Sequence, residues 1–486
     1  MQSKRDQVQA HMFVMGRLTS GMLRGDPDAP ESPQGRTNRG VAMGIVIAVL
    51  LSAGAFVFGL LKPGTKDSWQ EAGTLVVSKD TGSRYLYLDG RLRPVRNYAS
   101  ARLLAGAGMK TTMVGAASLD GTPHGAPVGI TGAPDALPSG GGLDTGPWQV
   151  CSGSAGGAPS TTLAVGTATE GAGLGSAQGL LVTGPDRADY LVWRGSKLRL
   201  DTAGGAPRAL GYGEARRVPV SAAFLNSLPS GPDLSPPDVP DRGAAGPGLS
   251  GRKTRIGEVF RITVPGAADR YYLLRREGLD PLTATGAALV LGDPDTRKKV
   301  YAGAAATAAP LGTDALAGRQ APPSAEPASG AGLPEAPPRA VAVEPGQTAC
   351  VRVQAGTAGT RVGVALVRQA TLGPAAQAPP EGLTPACAAV GRIVVRPGGG
   401  ALVHALGAGG GEVGGTVYLV TDTGMKYRMS GRALTALGYT QAQAQGLPSP
   451  LLAMLPTGPD LSPEAAAAGR SVGTAPPCAT ARVAVR

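Results

Sequence analysis

Twenty-one consecutive residues, Val41 to Leu61, read VAMGIVIAVLLSAGAFVFGLL and carry no charge, with Arg39 before them and Lys62 after. At about 1.5 Å of rise per residue such a helix covers roughly 32 Å, which matches the ~30 Å hydrocarbon core of a bilayer. A buried helix of a soluble protein seldom runs this long without a polar face, and Lys62-Pro63 closes the run abruptly. A cleaved signal peptide is disfavoured as well, because the run is too long, starts forty residues in and has no A-x-A-like site after it. The stretch 41–61 is therefore read as a single transmembrane helix.

That span divides the 486 residues into about 40 on one side and about 425 on the other, enough for several domains. Lys4, Arg5, Arg17, Arg24, Arg36 and Arg39 precede it, so the positive-inside rule places the N-terminus in the cytoplasm, with Lys62 and Lys66 weakening the contrast. Cys151, Cys350, Cys387 and Cys478 all follow the span, as expected of a head exposed to an oxidising compartment. The net charge of +12 comes from scattered residues, which argues against nucleic acid and for a basic surface facing anionic wall polymers or lipid. Gly and Pro make up about a quarter of the chain, yet alternating apolar runs recur, so the head is expected to fold with long loops.

Ahead of the span, Val8, Met12, Met15, Leu18 and Met22 are spaced 4, 3, 3 and 4, which sets them on one face of an amphipathic helix. Val8, Met12, Met15 and Met22 are the candidate docking face for a cytoplasmic partner; the alternative is a helix lying on the inner leaflet. Gly25 to Asn38 reads as a polar linker. Within the span, Gly44, Ala48, Ser52, Ala55 and Gly59 form a stripe of small residues on which another helix can pack.

The head contains repeats. Ala209 to Pro236 aligns without gaps on Ala436 to Pro463, each holding a short Pro-initiated helix, with Phe224, Leu225 and Leu228 in one copy and Leu451, Leu452 and Leu455 in the other, before a G-P-D-L turn. Four charged-Tyr pairs, Arg84-Tyr85, Asp189-Tyr190, Arg270-Tyr271 and Lys426-Tyr427, each open a period-2 strand. The expected organisation is α+β: a cytoplasmic helix and linker (1–40), the span (41–61), strand-and-helix repeats at 74–138, 181–236, 256–318 and 416–463, and a central β domain assembled from 143–179 and 339–415, with a tail (464–486) returning to it. The short runs TTLAVG, RAVAVEP, ACVRV and RIVVRP are assigned to that centre. Four cysteines allow three connectivities, and spacing does not choose among them. The shared location of Cys151 and Cys350 in central segments pairs them and leaves Cys387 with Cys478.

These features together resemble the EccB family, the single-pass membrane component of actinobacterial type VII secretion systems. The likeness rests on RDQVQAHMFVMGRLTSGMLRGDP running into one span, on HGAPVGITGAPDALP (His124 to Pro138), and on the WQVC and LPxGPDL motifs, and it covers nearly the whole chain. It implies a cytoplasmic N-terminus, an elongated extracytoplasmic head of four repeats around a central domain, and a place in a multi-subunit membrane complex that includes a motor ATPase and further copies of the chain. It also implies repeats similar to cell-wall-binding modules, and it favours a bond between Cys151 and Cys350.

Members of that family have been described as ATPases, so a phosphate site is sought. The nearest segment is GPGLSGRKT, Gly246 to Thr254, where Arg252 separates Gly251 from Lys253 and so breaks the G-x-x-x-x-G-K-[ST] register; no strand is expected before it. His11, His124 and His404 are dispersed, without G-x-S-x-G or H-E-x-x-H, and no Cys-x-x-Cys suggests zinc. No catalytic, cofactor or metal residue is assigned. The sequence thus points to a structural membrane subunit of a type VII secretion complex, with an extracytoplasmic nucleotide hydrolase and a wall-binding anchor as the alternatives.

Overall fold

The computed structural model describes residues 3–25, 33–61, 67–155, 157–167, 171–322, 332–356, 359–376, 383–407, 409–469 and 478. Two compact units divide the chain: Met1–Glu71 together with Val114–Gly121, and Ala72–Met113 together with Thr122–Arg486.

In the first unit, helix α1 (Lys4–Arg24) starts on a capping box in which Ser3 accepts from the Asp6 amide and Asp6 returns a bond to the Ser3 amide; it ends on Gly25 in the left-handed region. Helix α2 (Pro33–Leu61) begins eight residues before the apolar run, so residues 33–38 of the expected linker are helical. A proline is tolerated in a first helical turn because its missing N–H has no partner there anyway. Thr37–Phe58 is long and apolar enough to cross a membrane, with a mean hydropathy of 2.6 and none of that window buried.

The second unit is built from five sheets. After the first meander, β1 (Thr74–Ser78), β2 (Arg84–Leu88) and β3 (Arg91–Pro94), the chain forms α3 (Tyr98–Ala105) and returns as β4 (Lys110–Val114). Three strands of a larger sheet follow: β5 (Trp148–Ala155), β6 (Ala158–Ala164) and β7 (Gly171–Gly173). The second meander is β8 (Gln178–Thr183), β9 (Asp189–Trp193) and β10 (Ser196–Arg199), with α4 (Ala206–Ala209), β11 (Val218–Pro219) and α5 (Ala222–Asn226) behind it. The third is β12 (Val259–Ile262), β13 (Arg270–Arg275) and β14 (Gly278–Leu282), then α6 (Ala284–Gly292), α7 (Pro294–Lys299) and β15 (Ala309–Pro310). Next come β16 (Arg339–Ala340), β17 (Gln347–Gln354), β18 (Arg361–Arg368) and β19 (Arg392–Val394). The last meander is β20 (Gly400–Leu406), β21 (Glu412–Thr421) and β22 (Lys426–Met429), then α8 (Gly431–Leu437), β23 (Gln445–Pro448), α9 (Ser449–Leu452) and α10 (Pro463–Ala468).

All four small sheets share the order third-second-first-fourth strand: β3-β2-β1-β4, β10-β9-β8-β11, β14-β13-β12-β15 and β22-β21-β20-β23. The six-stranded sheet has the order β19-β6-β5-β17-β18-β7, so each half of the chain lends its edge strand to the other half's hairpin. At its centre β5 and β17 pair antiparallel with Cys151 opposite Cys350. Helices α5 and α9 both insert into the core of this sheet: Phe224, Leu225, Leu228, Leu451, Leu452 and Leu455 pack with Trp148, Val150, Leu163 and Val351. Burying a Leu or Phe side chain contributes about 1.5–3 kcal/mol, so these two short helices depend on the central sheet rather than on their own propensity. The outer sheets attach helix to helix, α3 against α8 and α10, and α4 against α6.

Several boundaries differ from the expected ones. The fourth sheet starts at β20, Gly400, inside the stretch assigned to the centre, because a meander needs an antiparallel first strand that looks, in sequence, like any apolar run. RAVAVEP contributes β16, which pairs with β8 of the second sheet and not with the central sheet. Lys426-Tyr427 opens a third strand, whereas the other three charged-Tyr pairs open second strands; the residue that faces Arg428 as Tyr190 faces Arg199 is Tyr418. Helix α5 is started by Ser221, whose hydroxyl accepts from the Phe224 amide, and not by proline. Of the tail, α10 packs on α3 instead of returning to the centre.

The LPxG motif has a structural reason. In every small sheet a later segment runs parallel to the third strand as a rail: Leu92, Lys197, Leu279 and Lys426 each donate to the carbonyl of Pro123, Pro229, Arg319 and Pro456, and accept from Gly125, Gly231, Ala321 and Gly458. A Cβ on Gly458 would collide with the Tyr427 ring, while one on Gly231 would sit 3.2 Å from the flexible Leu198 side chain. Gly458→Ala is therefore expected to destabilise the fourth sheet by about 1–3 kcal/mol and Gly231→Ala the second by less than about 1 kcal/mol, as read by hydrogen exchange.

Candidate functional site

Two features predicted from sequence lie in the helical unit. Val8 (59% exposed), Met12 (66%), Met15 (52%) and Met22 (85%) all face outward on α1, together with Leu18. Ser20 is buried, while Phe13, Val14 and Leu23, away from this ridge, are exposed as well, so the apolar residues of α1 are bare on more than one side. On α2, Gly44, Ala48, Ser52 and Ala55 are exposed, and the surroundings of Gly59 lie outside the described residues.

The cysteines occupy two contrasting places. Cys151 and Cys350 are bonded and fully buried, within a cluster that includes Ala365, Val367 and Leu372. Cys387 and Cys478 are bonded and both exposed. Cys387 belongs to a stretch that lies along α9 and its exit, not within the six-stranded sheet: Thr457 donates to the Thr384 carbonyl at 3.0 Å and Ala388 to that of Ala453 at 2.9 Å.

GPGLSGRKT folds as a two-residue hairpin in which Leu249 and Arg252 exchange both backbone hydrogen bonds across Ser250 and Gly251, both of positive φ. This is the geometry of a tight strand reversal, not of a loop opening a helix. Arg252 is paired with Glu258 and stacks on Phe260, and Lys253 is exposed. His11 is exposed on α1, His124 stacks on Tyr85 with centroids 5.8 Å apart, and His404 lies on β20 opposite Val417. Among the described residues no three His, Cys, Asp or Glu side chains are grouped as a metal site.

Two open clefts flank the central sheet at related positions. One, of about 470 Å³, is lined by Ser152, Thr348, Glu344, Arg216 and Arg217 beside β11. The other, of about 630 Å³, is lined by Gln354, Thr360, His404 and Gln445 beside β23. In the first, Arg217 is engaged by Asp189 at 2.6 Å.

Sequence reasoning missed the groups that lock the small sheets to the rest of the head. Lys426 Nζ donates to the carbonyls of Leu452 (2.6 Å) and Leu455 (2.7 Å) at the end of α9, and Lys197 Nζ does the same to Leu225 (2.7 Å) at the end of α5. Burial lowers the proton affinity of both amines, that of Lys426 to about 8. Tyr212 and Tyr439, the tyrosines of the two ALGY motifs, donate to the carbonyls of Pro338 (2.7 Å) and Pro138 (2.5 Å), and burial pushes both up to about 12. For the tyrosines the signal was present in the gap-free repeat, which holds ALGY in both copies; the lysines lie ahead of it, outside the matched residues.

An apolar helix able to cross a membrane, a second helix with a bare apolar ridge, and a disulfide-linked sheet-rich head define a membrane-anchored assembly subunit. A family model described as type VII secretion system ESX-1, transport TM domain B, matches residues 1–474, and the chain belongs to this EccB family. It is 28% identical over 475 residues to the ESX-3 secretion system ATPase EccB3 of Mycolicibacterium smegmatis, covering 94% of this chain and 89% of that one. With the ESX-1 secretion system ATPase EccB1 of Mycobacterium tuberculosis H37Rv it shares 32% over 296 residues, 58% of this chain and 60% of the relative. The fold is that of a chain in an intact ESX-5 inner membrane complex, with a TM-score of 0.63 at 22% identity over 98% and 97% of the two chains. A chain of an EccB3 dimer from an ESX-3 core complex superposes with a TM-score of 0.63 at 25% identity, covering 82% of this chain and all of that one.

Proposed function

We propose that this protein is a non-enzymatic structural subunit of a type VII secretion membrane complex, held by α2, with its N-terminus in the cytoplasm and its head outside. The observation that carries the reading is the exposed ridge of Val8, Met12, Met15 and Met22 on a helix placed just before a membrane-length one. A helix of this length is marginal alone in water, so a partner that covers the ridge stabilises both. The partners are other membrane subunits, among them the motor ATPase, and a second copy of the chain, in line with the dimer named for the EccB3 relative. The orientation is supported by the arginines and lysines ahead of α2 and by two disulfides after it. Four repeats, one per small sheet, around one central domain remain our proposal for the head's organisation.

Replacing Met12 and Met15 by Asp places uncompensated charge in any apolar groove that receives α1 and leaves α2 untouched. The variant is expected to reach the membrane and to lose the other membrane subunits on affinity purification of the full-length protein. Wild-type recovery of those subunits overturns the docking role; a change confined to lipid binding of α1 favours a helix on the inner leaflet.

The relatives are named ATPases, so hydrolysis is the competing reading. Because Gly246–Thr254 is a hairpin with Lys253 in solvent, Lys253→Ala is expected to leave nucleotide turnover of the purified full-length protein unchanged. Turnover that falls tenfold or more with this substitution, as a lost phosphate contact would produce, sinks the non-enzymatic reading (about 1.4 kcal/mol per tenfold).

A further inference from the structure

The two disulfides differ in one respect that governs thiol exchange. Cys151 and Cys350 are 0% exposed, on adjacent strands beneath Val367 and Leu372, so no attacking sulfur can reach them without unfolding β5 and β17. Cys387 and Cys478 are both open to solvent. Exposed disulfides are the exchangeable ones, because a thiolate must approach one sulfur in line with the bond it breaks.

The exposed bond also closes a particular loop. Its sequence separation of 91 encloses the whole fourth sheet with α8, α9 and α10. At one end, the stretch around Cys387 is laid over the exit of α9 by the Thr457 to Thr384 and Ala388 to Ala453 hydrogen bonds, next to the carbonyls that hold Lys426. Its apolar anchors are modest: Leu383, Ala388 and Val390 are only partly buried. At the other end, Cys478 follows Gly469, the C-cap of α10, by nine residues. Helix α10 has six residues and joins two sheets, since it packs on α3 and its Ala466 carbonyl accepts from the Gly129 amide at 2.8 Å. A helix this short has little stability of its own.

We propose that Cys387–Cys478 is a reversible redox clasp on the junction between the first and fourth sheets, while Cys151–Cys350 is a permanent staple. The co-reactant is a dithiol, such as the active site of a thiol–disulfide oxidoreductase in the compartment of the head. Its thiolate attacks one cysteine sulfur, forming a mixed disulfide and releasing the other cysteine as a thiolate. The second thiol then attacks the mixed disulfide, so that two electrons and two protons pass to Cys387 and Cys478 and the dithiol becomes a disulfide. Reduction opens the loop that encloses the fourth sheet and α10, and with it the contact of α10 with α3 loosens; the reverse exchange restores it. This inference goes beyond the assembly role and does not require it.

The test uses the full-length protein in detergent micelles, treated with dithiothreitol under native conditions, alkylated and mapped by peptide. Cys387 and Cys478 are expected to be labelled at least about a hundredfold faster than Cys151 and Cys350. Hydrogen exchange should then accelerate in peptides spanning 127–131 and 463–469, stay unchanged in 148–155 and 347–354, and recover on re-oxidation. The double variant Cys387→Ser, Cys478→Ser should show the reduced pattern whether or not reductant is present. Labelling of both pairs at similar rates overturns the proposal, as does an exchange pattern at 463–469 that neither reduction nor the double variant alters.

Discussion

Lys426→Met is expected to destabilise the fourth sheet by about 2 kcal/mol near neutral pH, because the carbonyls of Leu452 and Leu455 lose a charge-assisted donor in a partly buried site. The difference should grow as the pH is raised. The folded state lowers Lys426 to about 8 from the ordinary 10.5, so between those values the unfolded chain binds more protons and wild-type stability increases with pH. Below about 8 the ammonium is present in both states and its full desolvation cost persists. The gain across the window is on the order of 3 kcal/mol, and the partly buried Lys197 adds in the same direction. Above about 10 the buried tyrosines reverse the trend: Tyr212, Tyr427 and Tyr439 hold their protons to about 12, the unfolded chain releases them near 10, and stability falls. Denaturant titration between pH 7 and 10, read by Trp148, which packs in the same core as Leu452, measures the effect. A wild-type to Met difference that stays constant over this range would show that Lys426 is not the titrating group.

Replacing both Cys151 and Cys350 by Ala is the second large change, expected to lower the stability of the head by about 2–5 kcal/mol. The bond joins residues separated by 199 positions in sequence and crosses the β5–β17 pair, the one seam where strands from the two halves of the chain meet at the centre of the six-stranded sheet. Without it, the halves are held by that pairing, by the exchanged edge strands and by the core around Trp148 and Val351. Protection against hydrogen exchange should drop first in 148–155 and 347–354. A loss smaller than about 1 kcal/mol would mean that the apolar core alone carries the seam.

How far the fold was legible depends on how far apart the interacting residues lie. The α1 ridge and the α2 span are periodicities within one helix, so Met12 and Met15, or Val41 to Leu61, can be placed by counting. The gap-free match of 209–236 with 436–463 revealed two equivalent units because their local turns need the same residues: Gly231 and Gly458 on the rail, and the Pro before each. The boundaries failed where a strand's partner is remote. Nothing in ALVHAL tells that β20 begins the fourth sheet, since its pairing with β21 and β23 is fixed by packing and not by propensity. Lys426-Tyr427 opens a strand as expected, but its place as the third strand of its sheet was not legible, because this lysine serves carbonyls 26 and 29 residues later, at and after the end of α9.

By itself the sequence determined the membrane-length helix, the amphipathic helix before it, the α+β character of the head and its internal repetition. These follow from hydropathy, period and turn chemistry, which act over a few residues. Only the tertiary structure decided that the central sheet exchanges strands between the two halves, that α5 and α9 are plugged into it and closed by Lys197 and Lys426, that the ALGY tyrosines donate to prolines 126 and 301 residues away, and that one disulfide is sealed while the other is open. Each depends on burial and on partners more than a hundred residues away or on surfaces shared by several elements, and no local pattern encodes which distant group will exclude water from a given atom.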